Sequence, residues 1–190
     1  MSKLRIGLMG AGNISGVMAK TVKGMKDVSL YAIASRNQEK AEAFAKKYGV
    51  KKAYGSYEEM LRDKKVDLVY IATPHSEHYD NAMMCIRHKK PVLCEKAFTA
   101  NAKQAREVLA YAEREKVFIA EAIWTRYMPM VGMIKEALSQ GLIGRPRLLT
   151  ANLSYSLEHI ERLYEPSLAA GSLLDLGIYP INFASIFFGT

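Results

Sequence analysis

The stretch Leu4-Arg5-Ile6-Gly7-Leu8-Met9-Gly10-Ala11-Gly12-Asn13-Ile14-Ser15-Gly16 decides the fold. Its first half is a strand-like apolar run, Leu4–Met9, and its second half opens a helical pattern over Ile14–Val22. Between them Gly10 permits a tight turn, and Gly12 lets backbone come close to whatever lies at the helix N-terminus. Ser15 stands three positions beyond Gly12, where a small residue allows the helix to pack on the strand. Such a pattern is weak in isolation. Following a strand and opening a helix at the head of a β-α-β unit, it marks a cradle for the pyrophosphate of a dinucleotide. Gly10, Gly12, Asn13 and Ile14 are therefore candidate cofactor-binding residues.

The same alternation continues outward. Strand-like runs at Val28–Ala34, Leu68–Ala72, Val92–Glu95 and Val117–Ala122 are separated by helical stretches at Gln38–Tyr48, Tyr57–Arg62, His78–Arg87 and Ala102–Arg114. In the last, Ala105, Val108, Leu109 and Ala112 recur at helical spacing, with Asn101 as N-cap and Gln104 three residues on. Ser56 with Glu59 forms a second pattern of this kind. Near-continuous apolar strands alternating with helices specify a parallel sheet covered on both faces. After residue 122 the rhythm changes: a helical stretch at Met130–Ser139, a strand-like run at Arg147–Tyr155 and an apolar helical stretch at Leu173–Phe188. The expected fold class is α/β, a Rossmann-type doubly wound parallel sheet over residues 1–122. The start of an α+β substrate and dimerisation domain follows over 123–190 and reads as truncated.

Composition narrows the function. The chain has 190 residues, 49% hydrophobic and 24% charged, with mean hydropathy −0.08, the profile of a globular protein rather than a disordered or collagenous one. Two cysteines, Cys85 and Cys94, are too few for a disulfide framework and lack metal-ligand spacing, so no metal site is expected. Residue 1 leads almost at once into an apolar strand, without a basic–apolar–small leader pattern. No stretch is expected to reach the about 20 apolar residues of a membrane span. A reduced, cytoplasmic protein is the expectation. The net charge of +8 sits in the first 120 residues, which carry 22 basic against 13 acidic residues; residues 121–190 carry 5 against 6. This suits an anionic small partner. No basic run exceeds two residues and no aromatics interleave with one, so nucleic acid is not expected as a partner, and neither is a membrane.

Three further segments carry chemistry. At the end of the second strand, Ser35-Arg36 stands where an NAD site usually places an acidic residue for the ribose. Arg36 favours a 2′-phosphate instead, which points to NADP, with NAD as the alternative cofactor. The runs Thr73-Pro74-His75-Ser76-Glu77-His78 and Glu95-Lys96 follow strands whose carboxyl ends line the ligand crevice of open α/β sheets. Lys96 in such a crevice is a candidate proton carrier. The structural alternatives are an exposed arginine, a solvated lysine, and turn-capping for His75 and His78.

Together these segments, with Glu121-Ala122-Ile123-Trp124-Thr125-Arg126 and Asp175-Leu176-Gly177-Ile178-Tyr179, resemble the Gfo/Idh/MocA family of NAD(P)-dependent oxidoreductases. The sequence looks most like its dimeric dihydrodiol dehydrogenase branch. The resemblance implies hydride transfer between nicotinamide and a carbinol of a sugar, cyclitol or dihydrodiol. It implies Lys96, Tyr179 and Asp175 as catalytic residues, with Tyr179 standing where many members carry histidine. Thr73, Pro74, His75, His78, Glu95, Lys96, Trp124 and Arg126 join Ser35 and Arg36 as cofactor or pocket residues. Ala97 departs from the family's Glu-Lys-Pro motif. The implied partners are a small polyol substrate and, for the full-length protein, further copies of itself. The rival reading is a non-catalytic dinucleotide-binding regulator of the same superfamily.

Overall fold

The computed structural model describes residues 3–157, 159–160 and 163–189, and the chain divides into two compact units, Met1–Glu121 and Ala122–Thr190. In the first unit, β1 (Leu4–Met9), β2 (Val28–Ala34), β3 (Lys52–Tyr54), β4 (Leu68–Ile71), β5 (Val92–Cys94) and β6 (Ile119–Glu121) form one sheet. Its order is β3-β2-β1-β4-β5-β6, and every pairing is parallel. The chain builds outward from β1 in one direction and then the other, so the crevice opens beside β1 where the order reverses. This is the doubly wound sheet expected from the alternation of apolar runs.

Alternate strand residues serve the two faces. Met9, Ala32, Ala34, Val69, Ile71, Val92 and Cys94 belong to one buried cluster with Met60 and Leu61 of α3 (Tyr57–Arg62). Ala82, Cys85 and Ile86 of α4 (His78–Arg87), and Val108 and Ala112 of α5 (Ala102–Glu115), complete it. Leu8 and Ile33 point the other way and are fully buried. That side holds the buried faces of α1 (Asn13–Lys23) and α2 (Gln38–Tyr48), which contribute Ala19, Val22, Ala41 and Phe44. The caps form as read: Ser56 Oγ accepts from the N–H of Glu59 at 3.2 Å, and Asn101 Oδ1 from that of Gln104 at 3.0 Å. Gln104 in turn accepts from the N–H of Ala100, one residue before the cap. On α5 the buried stripe is Val108 and Ala112, while Leu109 stays half exposed.

Two elements differ from expectation. Lys52–Tyr54 is a strand that the sequence does not announce, because three residues beginning with lysine carry no apolar run; pairing with β2 makes it one. In the second unit the run Arg147–Tyr155 forms no strand. A strand exists only through a neighbour's ladder, and no strand is present among the described residues of that unit. Leu148 and Tyr155 are accordingly exposed.

The described part of the second unit is helical. A 3₁₀ turn (Trp124–Tyr127) leads into α6 (Pro129–Ser139). A second 3₁₀ turn, Pro166–Leu168, precedes a π-helical turn at Leu173–Gly177 and α7 (Ile178–Phe188). Contrary to expectation, Pro166–Phe188 is long and apolar enough, by length and composition alone, to cross a membrane, with a mean hydropathy of 1.3. Serines, Asp175 and Asn182 interrupt it in sequence, which is why no single apolar run announces it. Positive φ at Ala169 (54°) and Gly171 (111°) breaks the helix near its start. The continuous part, from Leu173 to Phe188, spans about 24 Å at 1.5 Å per residue, against a hydrocarbon core of about 30 Å.

Candidate active site

The turn after β1 is built as a cradle. Gly10 has φ 102° and its N–H donates to the carbonyl of Ala34 at 2.9 Å. A Cβ there would sit 2.9 Å from the carbonyl oxygen of Ala72. Gly12 is the N-cap of α1, with no side-chain cap and no acidic residue in the first turn. A Cβ on Gly12 would meet no atom within 4 Å. The buried Ser15 hydroxyl donates to the carbonyl of Gly10 and closes the turn from beneath. Asn13 and Ile14 lie exposed at the rim. The helix thus presents its first N–H groups, at the positive end of its dipole, to open space.

At the end of β2 the N–H of Ser35 donates to the carbonyl of Tyr54 at 3.1 Å, and Ser35 Oγ accepts from the N–H of Asn37 at 3.2 Å. The residue between them, Arg36, is exposed. Burial pushes the Tyr57 phenol upward, and the charge of Arg36 pulls against it. Arg36 thus stands at the same sheet edge as the Gly10–Gly12 turn, one strand away.

The turns after β4 and β5 are stitched together. Asn81 Nδ2 donates to Thr73 Oγ1 at 2.9 Å. Pro74 begins a 3₁₀ turn at His75–Glu77, and the His75 and His78 rings meet edge to face at 5.7 Å. His78 is fully buried, its Nε2 2.9 Å from the carbonyl oxygen of Thr73 and its Nδ1 2.7 Å from that of Ala97. Burial lowers its pKa, and the two carbonyl contacts pull against that shift. His78 therefore ties the β4 turn to the residue after Lys96. On the other side of Lys96, Glu95 accepts from the hydroxyl of Tyr70 and, at 3.1 Å, from the N–H of Lys96. Phe98 N–H donates to Glu121 Oε1 at 2.9 Å. The Lys96–Ala97 peptide is cis. With proline absent from position 97, the Lys96 turn is still held from both flanks.

Trp124, Arg126, Asp175 and Tyr179 lie in the second unit. Trp124 Nε1–H donates to the Tyr179 hydroxyl at 3.3 Å, with ring centroids 6.1 Å apart. Arg126 spends its guanidinium on α7, donating from Nε to Asn182 Oδ1 at 3.2 Å and from Nη2 to Ser185 Oγ at 2.9 Å. Asp175 is buried in the π turn, four residues before Tyr179. The 3₁₀ turn thus braces the helix that carries Tyr179. Sequence reading missed Tyr70, Asn81, Asn182 and Ser185. Asn81 was detectable as a polar residue on the buried face of α4, three positions from His78. Tyr70 was not, since a tyrosine in a buried strand reads as filling. Among the described residues no group of three or more side chains is placed to hold a metal ion.

Residues 4–122 match the family model for the oxidoreductase family with an NAD-binding Rossmann fold, and residues 131–190 match the GFO/IDH/MocA C-terminal domain. The chain belongs to the GFO/IDH/MocA oxidoreductase family. Among GFO/IDH/MocA relatives, it is 40% identical over 98% of its length to the trans-1,2-dihydrobenzene-1,2-diol dehydrogenase of Mus musculus, and 38% identical to that of Homo sapiens. It spans about half the length of these relatives, 56% of each. An NAD-binding oxidoreductase from Klebsiella pneumoniae superposes with TM-score 0.83 at 31% identity, over 99% of this chain and 54% of that one. A 3-ketoreductase from Actinomadura kijaniata in complex with NADP gives 0.86 at 26%, over 99% and 56%. The resemblance read from the motifs is thus borne out at the level of family, fold and nicotinamide-dinucleotide domain.

Proposed function

We propose that the protein is an NADP-dependent oxidoreductase that interconverts a carbinol and a carbonyl on a sugar, cyclitol or dihydrodiol. The observation that carries this reading is the shared sheet edge. The open Gly12 cradle, Arg36 and Lys96 follow the carboxyl ends of β1, β2 and β5. The cradle fits a dinucleotide, because the space a side chain at position 12 would fill is left open in front of uncapped helix N–H groups. When bound, the nicotinamide supplies the hydride acceptor or donor. Arg36 pairs with the 2′-phosphate through charge-assisted hydrogen bonds. Lys96 serves as a carrier of the substrate's hydroxyl proton, and Tyr179 of the second unit, four residues after Asp175, is a separate acid/base candidate. The names of the mammalian relatives favour a dihydrodiol. Two cysteines, both free and buried, suit a cytoplasmic setting. For the whole protein, self-association is part of the same proposal.

The test is a fluorescence titration with NADPH and NADH, followed by an absorbance screen for NADPH formation from NADP with dihydrodiols, aldoses and cyclitols. Tighter binding of NADPH and turnover of one class support the proposal. Tight NADPH binding without turnover of any carbinol by the full-length protein refutes it in favour of a ligand-sensing regulator.

A further inference from the structure

Tyr70 sits within β4, 3% exposed, with its side chain on the face opposite to Val69 and Ile71. Its hydroxyl donates to Glu95 Oε1, and the other carboxylate oxygen, Oε2, accepts the Lys96 N–H at 3.1 Å. The pairing of β4 with β5 fixes this arrangement: Ile71 lies opposite Cys94, and the N–H of Glu95 donates to the carbonyl of Ile71 at 3.0 Å. An unbroken path therefore runs from a buried phenol, through one carboxylate, to the backbone of the lysine that follows it. We propose that Tyr70 is a positioning residue for Lys96, acting through Glu95: the phenol orients the carboxylate, and the carboxylate anchors the Lys96 backbone and sets a negative charge beside its side chain. The role of Lys96 rests on the oxidoreductase reading; the path of contacts does not.

The electrostatics agree in direction. Burial pushes the Glu95 carboxyl upward, while the Tyr70 hydroxyl, the Lys96 N–H and the Lys96 charge restrain it. The other ionisable groups around the turn include Glu121, which accepts from the Phe98 N–H, Cys94, whose thiol burial raises with Cys85, Glu121 and Glu95 adding to the effect, and His78, whose pKa burial lowers. Deleting the phenolic hydroxyl removes a restraint, so Glu95 takes up a proton at higher pH. A protonated Glu95 offers Lys96 no charge and a weaker acceptor.

The experiment uses the 190-residue chain labelled with ¹⁵N and with ¹³C in glutamate carboxyls, titrated from pH 4 to 8. The unmutated chain should show the Glu95 carboxyl titrating above 4.5, its ordinary value, with the Lys96 amide shift following it. In Tyr70→Phe both midpoints should move to higher pH, and in Glu95→Gln the Lys96 amide shift should vanish. Unmoved midpoints in Tyr70→Phe overturn the proposal. Glu95→Gln is the second variant: a Lys96 amide that still titrates there as in the unmutated chain overturns the proposal even if Tyr70→Phe fails to fold. In turnover assays of the full-length protein, Tyr70→Phe should lose turnover on the acid limb, where Glu95 takes up its proton. Turnover on the alkaline plateau and KM for NADPH should stay unchanged. An equal loss at every pH marks a merely structural tyrosine and overturns the assignment. Absence of turnover in the unmutated protein refutes the oxidoreductase reading, and the amide titration still decides the coupling.

Discussion

In Gly12→Val the added side chain begins at a Cβ that meets no protein atom within 4 Å, from a residue whose φ of −89° suits any amino acid. The fold therefore loses little. A glycine N-cap gives way to a poorer one, which costs under about 1 kcal/mol, so Tm should fall by less than about 4 °C. Binding should suffer far more. The first N–H groups of α1 have no side-chain cap, and a phosphate must approach to about 2.9 Å to receive them. Losing two such charge-assisted bonds at about 1.5–3 kcal/mol each weakens NADPH binding by roughly 10²–10⁴-fold. Gly10→Ala is the contrasting control. At φ 102°, with its Cβ 2.9 Å from the carbonyl oxygen of Ala72, it should cost the fold about 1–3 kcal/mol, a fall of about 2–12 °C. Thermal melts and NADPH fluorescence titrations of the two variants measure both effects. NADPH affinity in Gly12→Val within about threefold of the unmutated chain would refute the reasoning, because the open space would then not be where the pyrophosphate lies.

Arg36→Ala should weaken NADPH by about 1–3 kcal/mol and leave NADH nearly unchanged; equal loss for both cofactors removes Arg36 from the site. Tyr179→Phe keeps the ring contact with Trp124 and deletes the exchangeable proton, so full-length turnover should fall by roughly 10²–10⁴-fold with cofactor affinity unchanged. Near-normal turnover leaves Tyr179 as packing. Because burial lowers the pKa of His78 from its ordinary 6.5, the unfolded chain binds a proton that the native state refuses. Stability should decline as the pH falls below about 6.5 and level off below the native pKa. Denaturant midpoints of the unmutated chain and His78→Gln, measured between pH 7 and 5, test this; identical slopes exclude His78 as the source.

Much of the first unit is legible in the sequence, because its signals are local. A capping side chain reaches only three residues along the chain, so Ser56 and Asn101 announce helix starts that the structure bears out. The Gly10-x-Gly12 turn declares its own backbone demand, and alternating apolar runs set the order of strands and helices. What the sequence leaves open depends on neighbours distant in the chain. Lys52–Tyr54 is a strand because β2 lies beside it, whereas the more apolar Arg147–Tyr155 run pairs with no strand among the described residues. Arg36 and Lys96 could be assigned to the crevice from their strand ends alone. The partners that hold the Lys96 turn could not: Tyr70 is 25 positions from Glu95, and His78 is 19 from Ala97. Arg126 likewise reaches 56 and 59 positions along the chain, to Asn182 and Ser185. The sequence by itself determined which residue types stand at the ends of the strands, since an element's periodicity and its turn chemistry are written in consecutive residues. Only the tertiary structure decided which side chains those residues touch, because strand register and helix packing bring together atoms that no spacing in the sequence connects.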